Sequence, residues 1–103
     1  MNLAKGYCVA NVGVFDPEAY KAYIQANGEN FAKYGARFLV RSGKHIVAEG
    51  SSGARQVVIE FKDYETALAC FHSTEYQAAM ALRANASRGN LVIVEGYDGP
   101  QPS

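Results

Sequence analysis

Polar residues on three predicted strands are the ones whose types and positions could do chemistry. Asn11, Arg41 and Glu60 lie at or near mid-strand, on a sheet face that we expect to be enclosed. A charge without a partner is costly in such surroundings. One interpretation is that Glu60 pairs with Arg37 or Arg41 and fixes the register of an assembly. The other is that these side chains line a pocket, where Arg41 would hold an anionic or carbonyl oxygen and Glu60 would act as a base.

The last predicted helix carries a second pair of candidates, Tyr76 and Arg83. They are seven residues apart and therefore share one face of the helix. This spacing is typical of an aromatic core anchor beside an arginine with a buried stem, and it also fits two side chains that line a pocket. With Arg37, they are the candidates for ligand binding. Four other tyrosines recur at core-like spacings and predict core residues rather than an aromatic cage: Tyr20, Tyr23, Tyr34 and Tyr64.

Motifs for metal, nucleophile or phosphate chemistry do not occur in the sequence. His45 and His72 are its two histidines, and no HxxxH, HExxH or CxxC spacing adds further ligands. A zinc or iron site needs about three convergent ligands, so we expect no metal and no cofactor. There is no GxSxG motif. Gly50–Gly53 precedes a strand rather than a helix, and it therefore predicts a linker rather than a phosphate cradle.

Composition limits the classes of partner. The 103 residues predict one domain over residues 1–97 and a flexible tail over 98–103. Ten basic residues balance ten acidic ones, which argues against nucleic acid or an anionic membrane as partner, because both need a clustered positive field. No apolar stretch reaches the ~20 residues of a membrane span, and the N-terminus lacks the pattern of a signal peptide.

The two cysteines indicate a compartment. Cys8 and Cys70 lie far apart in the sequence, each in an apolar segment and neither in a CxxC motif. Buried, reduced thiols are the expected state, and they are typical of a cytoplasmic protein.

Apolar periodicity divides the chain into two β-α-β halves, with a turn at Ser42-Gly43-Lys44 between them. The predicted strands are Tyr7–Phe15, Arg37–Arg41, His45–Glu49, Gln56–Phe61 and Leu91–Tyr97. The halves predict an α+β, ferredoxin-like β-α-β-β-α-β sandwich, with an antiparallel sheet and helices on one of its faces.

Capping residues place the predicted helices. Asp16-Pro17 starts the first helix, and Gly35 ends it as the residue after the C-cap. Gly28 lies inside that helix and costs ~1 kcal/mol relative to alanine, so we expect the helix to loosen there. Asp63 caps a helix through His72, and Ser73 starts a new one that continues to residue 87.

Strand alternation predicts one apolar and one mixed sheet face. The apolar face, which should receive the helices, holds Cys8, Ala10, Val12, Val14, Val57, Ile59, Phe61, Val92 and Val94. The mixed face holds Val9, Leu39, Val58, Leu91 and Ile93 beside Asn11, Arg37, Arg41, Glu60 and Glu95. A single helix layer leaves this mixed face bare, and so large a patch is unusual on a monomer. We therefore predict a homodimer whose sheets pack face to face and close a barrel.

Several segments together resemble one bacterial family, the domain of unknown function 1330, from about Lys5 to Tyr97. The resemblance is carried by the stretches YCVANVGVFDPEAYKAYI, YGARFLVRSGKHIVAEG and VVIEFKDYETALACFHSTEYQAAMALR. The sequence departs from the family at Cys8, where an aromatic residue is common, and at Thr74, where a proline is usual. The resemblance implies a dimeric α/β barrel but no reaction. Proteins of that superfamily include cofactor-free monooxygenases, haem-degrading enzymes, lactone isomerases and small-molecule sensors, so fold does not give function.

Two hypotheses of different class follow. In the first, the protein is a dimeric module without catalytic activity that holds at most a small organic ligand between sheet and helices. In the second, it is a cofactor-independent oxygenase or isomerase acting on a small organic acid, phenol or quinone through Asn11, Glu60 and Arg41. Haem degradation is disfavoured, because the sequence has no tryptophan and no histidine at a mid-sheet position.

Overall fold

The computed structural model describes residues 4–102 and confirms the ferredoxin-like α+β class. Its four strands form one antiparallel sheet in the order β2-β3-β1-β4. The elements are β1 Gly6–Val14, α1 Pro17–Lys33, β2 Arg37–Arg41, β3 Arg55–Phe61, α2 Tyr64–His72, α3 Thr74–Arg83 and β4 Ser87–Glu95. Among these helices, none is long and apolar enough to cross a membrane.

Side-chain caps fix the helix starts as the sequence predicts. The backbone N–H of Ala19 donates to Asp16 at 3.2 Å, and that of Thr66 donates to Asp63 at 2.8 Å. The hydroxyl of Ser73 accepts from the N–H of Tyr76 at 3.1 Å and separates α2 from α3. Each cap satisfies a donor that the first turn of a helix would otherwise leave unpaired.

Three predicted elements are wrong in extent or kind. The expected strand His45–Glu49 does not form, because Ser42 adopts a φ of 56° and turns the chain out of strand geometry. Ile46 is 88% exposed in the resulting loop. The last helix ends at Arg83 rather than at residue 87, because a turn follows in which the N–H of Ala86 donates to the carbonyl of Arg83. β4 therefore begins at Ser87, four residues earlier than predicted.

Gly28 does not loosen α1, which continues unbroken from Pro17 to Lys33. A Cβ added there would meet no other atom within 4 Å. We expect Gly28→Ala to raise the free energy of unfolding by about 1 kcal/mol, because alanine loses less backbone entropy on folding. Gly35→Ala is the control with opposite sign, since Gly35 has a φ of +69° that strains other residues. Thermal denaturation followed by circular dichroism measures both, and a lower melting temperature for Gly28→Ala would contradict this reading.

The register of the sheet reverses the predicted assignment of the β4 side chains to the two faces. Ile93 lies opposite Cys8 and Leu91 opposite Ala10, so both are on the helix-covered face. It follows that Val92 and Val94 lie on the other face, where they are 52% and 43% exposed. Successive strand residues point to opposite faces, so the predicted assignment of β4 is inverted. Glu95 lies two residues after Ile93 and is therefore on the helix-covered face as well.

A bulge in β2 moves Arg41 to the helix-covered face as well. The register shifts between Phe38 and Val40, so that Val40 lies opposite Val58 and Arg41 opposite Val57. One inserted residue moves each following side chain of the strand to the opposite face of the sheet. Arg41 is therefore on the opposite face from Glu60.

The uncovered sheet face carries a continuous apolar row across all four strands. Val40, Val58, Val9 and Val92 lie opposite one another in turn, and we call them the valine row. Polar rows flank it on both sides: Gln56, Asn11 and Asn90 on one, and Arg37, Glu60 and Tyr7 on the other. The molecule is only 17 Å thick, the depth of one sheet and one helix layer. We call this uncovered surface the open face.

Candidate functional site

A cavity of about 380 Å³ lies between α1 and the helix-covered face of the sheet. It exists because the two helical segments pack differently. α2 packs directly on β1, β3 and β4. Its own residues Ala67 and Cys70 are each only 1% exposed. α1 packs mainly against α3 and approaches the strands at few points. Small side chains let α2 approach closely, whereas α1 stands away from the sheet.

Side-chain size explains the empty space under α1. Its sheet-directed stripe is large, with Tyr20, Tyr23 and Phe31 lining the cavity. The sheet below is small at Cys8, Ala10 and Gly89. Gly89 cannot become larger, because a Cβ there would lie 2.1 Å from the carbonyl oxygen of Asn11. Large residues above small ones leave a volume that neither layer fills.

Three arginines line the cavity, and each lies against an aromatic ring. The guanidinium carbon of Arg41 is 4.2 Å from the ring centre of Phe38. That of Arg83 is 5.0 Å from Tyr23, and that of Arg55 is 5.5 Å from Tyr20. Stacking holds a guanidinium group in place while its N–H groups remain available to an oxygen acceptor.

A chain of hydrogen bonds connects α1 with α3 at the cavity wall. The hydroxyl groups of Tyr23 and Tyr76 are 2.9 Å apart. Arg83 donates to the Tyr76 hydroxyl in a long bond of 3.5 Å. Tyr76 is 3% exposed, so its polar end is satisfied within the protein. These contacts keep Arg83 beside the cavity rather than in solvent.

The cavity is electrically positive near neutral pH. Among the residues that the structure describes, no Asp, Glu or His lines the cavity. The ion pair Lys33–Glu75 lies outside it. Burial raises the pKa of the Cys8 thiol to about 11. The pKa of the Tyr23 hydroxyl is also raised, mainly by burial and to a lesser extent by the neighbouring Tyr76. Burial is the largest single influence on Arg83 and lowers its pKa, but Tyr76 and Tyr23 together outweigh burial and raise the pKa of the guanidinium group. The thiol and phenol stay neutral, and the arginine stays charged.

Two residues that line this cavity have buried polar atoms without a hydrogen-bond partner, Arg55 at its Nε and Asn27 at both polar atoms of its side chain. Asn27 is the uncharged one. It lies in the middle of the buried stripe of α1 and is 1% exposed. Neither its Oδ1 nor its Nδ2 has a hydrogen-bond partner. An unsatisfied buried polar group costs about 1–3 kcal/mol, so its retention calls for a partner.

The six predicted site residues divide between the two sheet faces. Arg41, Tyr76 and Arg83 line the cavity. The others lie on the open face, namely Glu60, Asn11 and Arg37. The expectation that Glu60 could pair with Arg41 is wrong, because the bulge in β2 separates them across the sheet. Glu60 accepts instead from the Tyr7 hydroxyl at 3.1 Å, and within residues 4–102 it forms no ion pair with Arg37, its neighbour across the strands.

Sequence reasoning missed Arg55 and the importance of Asn27. Arg55 alternates with Val57 and Ile59, so its side-chain face could have been assigned from the strand period. Asn27 lies at helical spacing from Tyr23 and Phe31, and a polar residue between two aromatic ones on such a stripe is the signal that could have identified it. Tyr20 and Tyr23 were predicted to be core residues, and both also line the cavity.

No group of three His, Cys, Asp or Glu side chains is arranged to hold a metal ion in the part of the chain that the structure describes. His45 contacts the carbonyl oxygen of Gly43 at 3.2 Å in the exposed loop. The chemistry of the cavity is therefore that of arginine, tyrosine and amide groups.

Solved structures support the fold. A protein of unknown function from Rhodopseudomonas palustris matches with a TM-score of 0.74 and 14% identity, over 95% of this chain and 86% of the other. SnoaB, a cofactor-independent oxygenase from Streptomyces nogalater, matches with a TM-score of 0.64 and 10% identity over 96% of each chain. A dimeric ferredoxin-like protein of unknown function from Thermobifida fusca matches with a TM-score of 0.57 and 17% identity over 89% of each. At these identities, the likeness establishes the architecture alone.

Comparison with protein-family models gives a more specific result than the shared fold. No protein of curated function matches the chain. The family model described as Domain of unknown function (DUF1330) matches residues 5–97, which is nearly the whole sequence. The chain therefore belongs to the DUF1330 family.

Proposed function

We propose that the protein binds a small organic anion in the cavity between α1 and the sheet. The observation that carries this proposal is the composition of the cavity wall, where three arginines occur with no acidic side chain among the described lining residues. Arg55 and Arg83 are half-buried and Arg41 is exposed, and among the described residues no carboxylate forms an ion pair with any of the three. A bound anion would supply the countercharge. The guanidinium groups suit carboxylate or phenolate oxygens, which accept charge-assisted hydrogen bonds.

The shape of the cavity supports an aromatic ligand. Its volume of about 380 Å³ is in the range of small-molecule sites. Aromatic side chains of α1, α3 and β2 provide the walls: Tyr20, Tyr23, Phe31, Tyr76 and Phe38. A planar ring can stack on such walls while one charged substituent reaches the arginines.

Calorimetric titration with matched probes tests the proposal. We expect 4-hydroxybenzoate to bind at pH 7.5, and its neutral analogue 4-hydroxybenzyl alcohol to bind about tenfold more weakly, because the alcohol lacks the charge-assisted bonds. Affinity should fall as the pH drops through the pKa of the ligand's own carboxyl group. It should stay constant from there up to about pH 8, because Arg83 stays charged and Tyr23 stays neutral over that range. Equal affinities for both probes, or no binding of either benzoate or 4-hydroxybenzoate at millimolar concentration, would contradict an anion site.

A homodimer formed through the open face is the second part of the proposal. The valine row exposes 39% of Val9 and 52% of Val92 in the centre of that face. An apolar row flanked by polar residues is typical of a surface that packs against another protein. The Thermobifida fusca neighbour is itself described as dimeric. The cavity lies on the opposite face, so dimerisation leaves it free.

A cofactor-independent oxygenase is the second candidate, and the same arginines favour it. They would lower the pKa of a bound phenol such as 1-naphthol. Its anion would add O₂ at the carbon para to the phenolate oxygen, and the resulting hydroperoxide would lose water, so that one oxygen atom enters the quinone product and the other leaves as water. Glu60 cannot act as the base, because it lies on the open face. Oxygen uptake with 1-naphthol separates the candidates. A rate above that of buffer, lost in Arg83→Met, favours the oxygenase, and a rate equal to buffer favours binding alone.

We further propose a cytoplasmic location, with neither nucleic acid nor membrane as partner. Cys8 and Cys70 are both free and buried, which suits a reducing compartment. The formal net charge of zero provides no field for a polyanion.

A further inference from the structure

Two buried asparagines on α1 differ in their relation to the cavity. Asn27 is 1% exposed and lines it, whereas Asn30 is 4% exposed and does not. The Nδ2 of Asn30 donates to the Sγ of Cys70 at 3.7 Å, while its Oδ1 has no partner, so Asn30 is half satisfied within the core. Both polar atoms of Asn27 are without partners. Asn27 thus offers a donor and an acceptor to whatever occupies the cavity.

The polar groups of the cavity are ordered along α1. Arg55 lies against Tyr20, Arg83 lies against Tyr23, and Asn27 follows on the same stripe. Four residues separate Tyr23 from Asn27, which is about 6 Å along a helix axis. A single benzene ring with substituents at opposite ends spans such a distance. One substituent can then reach a guanidinium group while the other reaches the amide.

We propose that Asn27 determines the specificity of the cavity by binding a hydroxyl or carbonyl group on the ligand, opposite its anionic end. The preferred ligand is therefore an aromatic acid of one ring with a polar substituent para to the carboxylate. This inference rests on the proposed anion-binding function and adds the class of ligand. A site built to hydrogen-bond a hydroxyl group rejects the analogue that lacks it, because the amide is then left unpaired.

The test compares benzoate with 4-hydroxybenzoate on three forms of the protein by calorimetric titration. The wild type should prefer 4-hydroxybenzoate by about tenfold, which is typical of one well-formed hydrogen bond to a buried group. Asn27→Leu should bind both acids within about twofold of each other, at an affinity for benzoate no lower than that of the wild type. Asn30→Leu is the matched control, and its preference should equal that of the wild type. Leucine removes no existing hydrogen bond at position 27.

The outcomes are distinguishable. If both acids bind the wild type equally, or if Asn27→Leu keeps the preference, the role of Asn27 is overturned and the anion site stands. If neither acid binds at millimolar concentration, the proposed function fails and this inference fails with it. Should the leucine variant not fold, Asn27→Ala provides the same comparison.

Discussion

Val9→Asp is expected to convert the protein from a dimer to a monomer at 10 μM. Val9 lies inside the valine row between Val58 and Val92, so two sheets that pack through this row bury position 9. In a twofold dimer each substitution introduces two carboxylates, one from each chain. Burying such charges without partners costs several kcal/mol, and about 2.8 kcal/mol already weakens association a hundredfold. Light scattering should report the mass of one 11.1 kDa chain for the variant and twice that mass for the wild type.

Val47→Asp is the matched control for this experiment. Val47 is 44% exposed, close to the 39% of Val9, but it lies in the loop between β2 and β3 rather than in the row. The control should remain dimeric. A monomeric wild type would contradict the dimer, and a dimeric Val9→Asp variant with native circular dichroism would show that the chains associate through another surface. Anion binding by a folded Val9→Asp monomer is expected to persist, because the cavity is on the other face.

Arg83→Met is expected to weaken the binding of 4-hydroxybenzoate by about 10- to 100-fold, since a hydrogen bond between charged groups contributes roughly 1.5–3 kcal/mol. Methionine preserves much of the unbranched stem, so the packing against Tyr23 is largely retained. Arg83→Lys should recover part of the affinity, because it restores the charge without the planar fork. Calorimetric titration measures all three proteins.

Arg37→Met provides the control, because it removes the same charge from the open face. It should leave the affinity for 4-hydroxybenzoate within about twofold of the wild type, since exposed charges beyond a Debye length are screened. The opposite pattern, in which Arg37→Met abolishes binding and Arg83→Met does not, would place the anion site on the open face.

The order and type of most elements follow from local chemistry that is visible in the sequence. Asp16, Asp63 and Ser73 each have a side-chain oxygen that accepts a bond from the first turn of a helix, and each cap forms as predicted. Gly35 adopts the positive φ expected after a C-cap. These features depend on residues within four positions of one another, so they are independent of the tertiary fold.

The faces of β4 and β2 depend on longer-range information. Residues 91–94 are Leu-Val-Ile-Val, and a fully apolar run gives no alternation from which to choose the covered face. Pairing with β1 makes that choice, since Leu91 lies opposite Ala10. The bulge in β2 has no local signal either, and it determines where Arg41 points.

The candidate site was only half visible from the sequence for the same reason. Tyr76 and Arg83 share a helix face, and simple spacing brings them to the cavity wall. Glu60, Asn11 and Arg37 were grouped with Arg41 by strict alternation, which a one-residue bulge breaks. The cavity itself follows from α1 standing away from the sheet, a property of packing between distant segments.

NMR of the isotope-labelled protein during titration with 4-hydroxybenzoate locates the ligand site residue by residue. The side-chain amide of Asn27 and the Nε–H of Arg83 should shift, because both residues line the cavity. The backbone amides of Val58 and Val92 in the valine row should shift little by comparison. Changes confined to the open face, with Asn27 and Arg83 unmoved, would contradict a ligand site between α1 and the sheet.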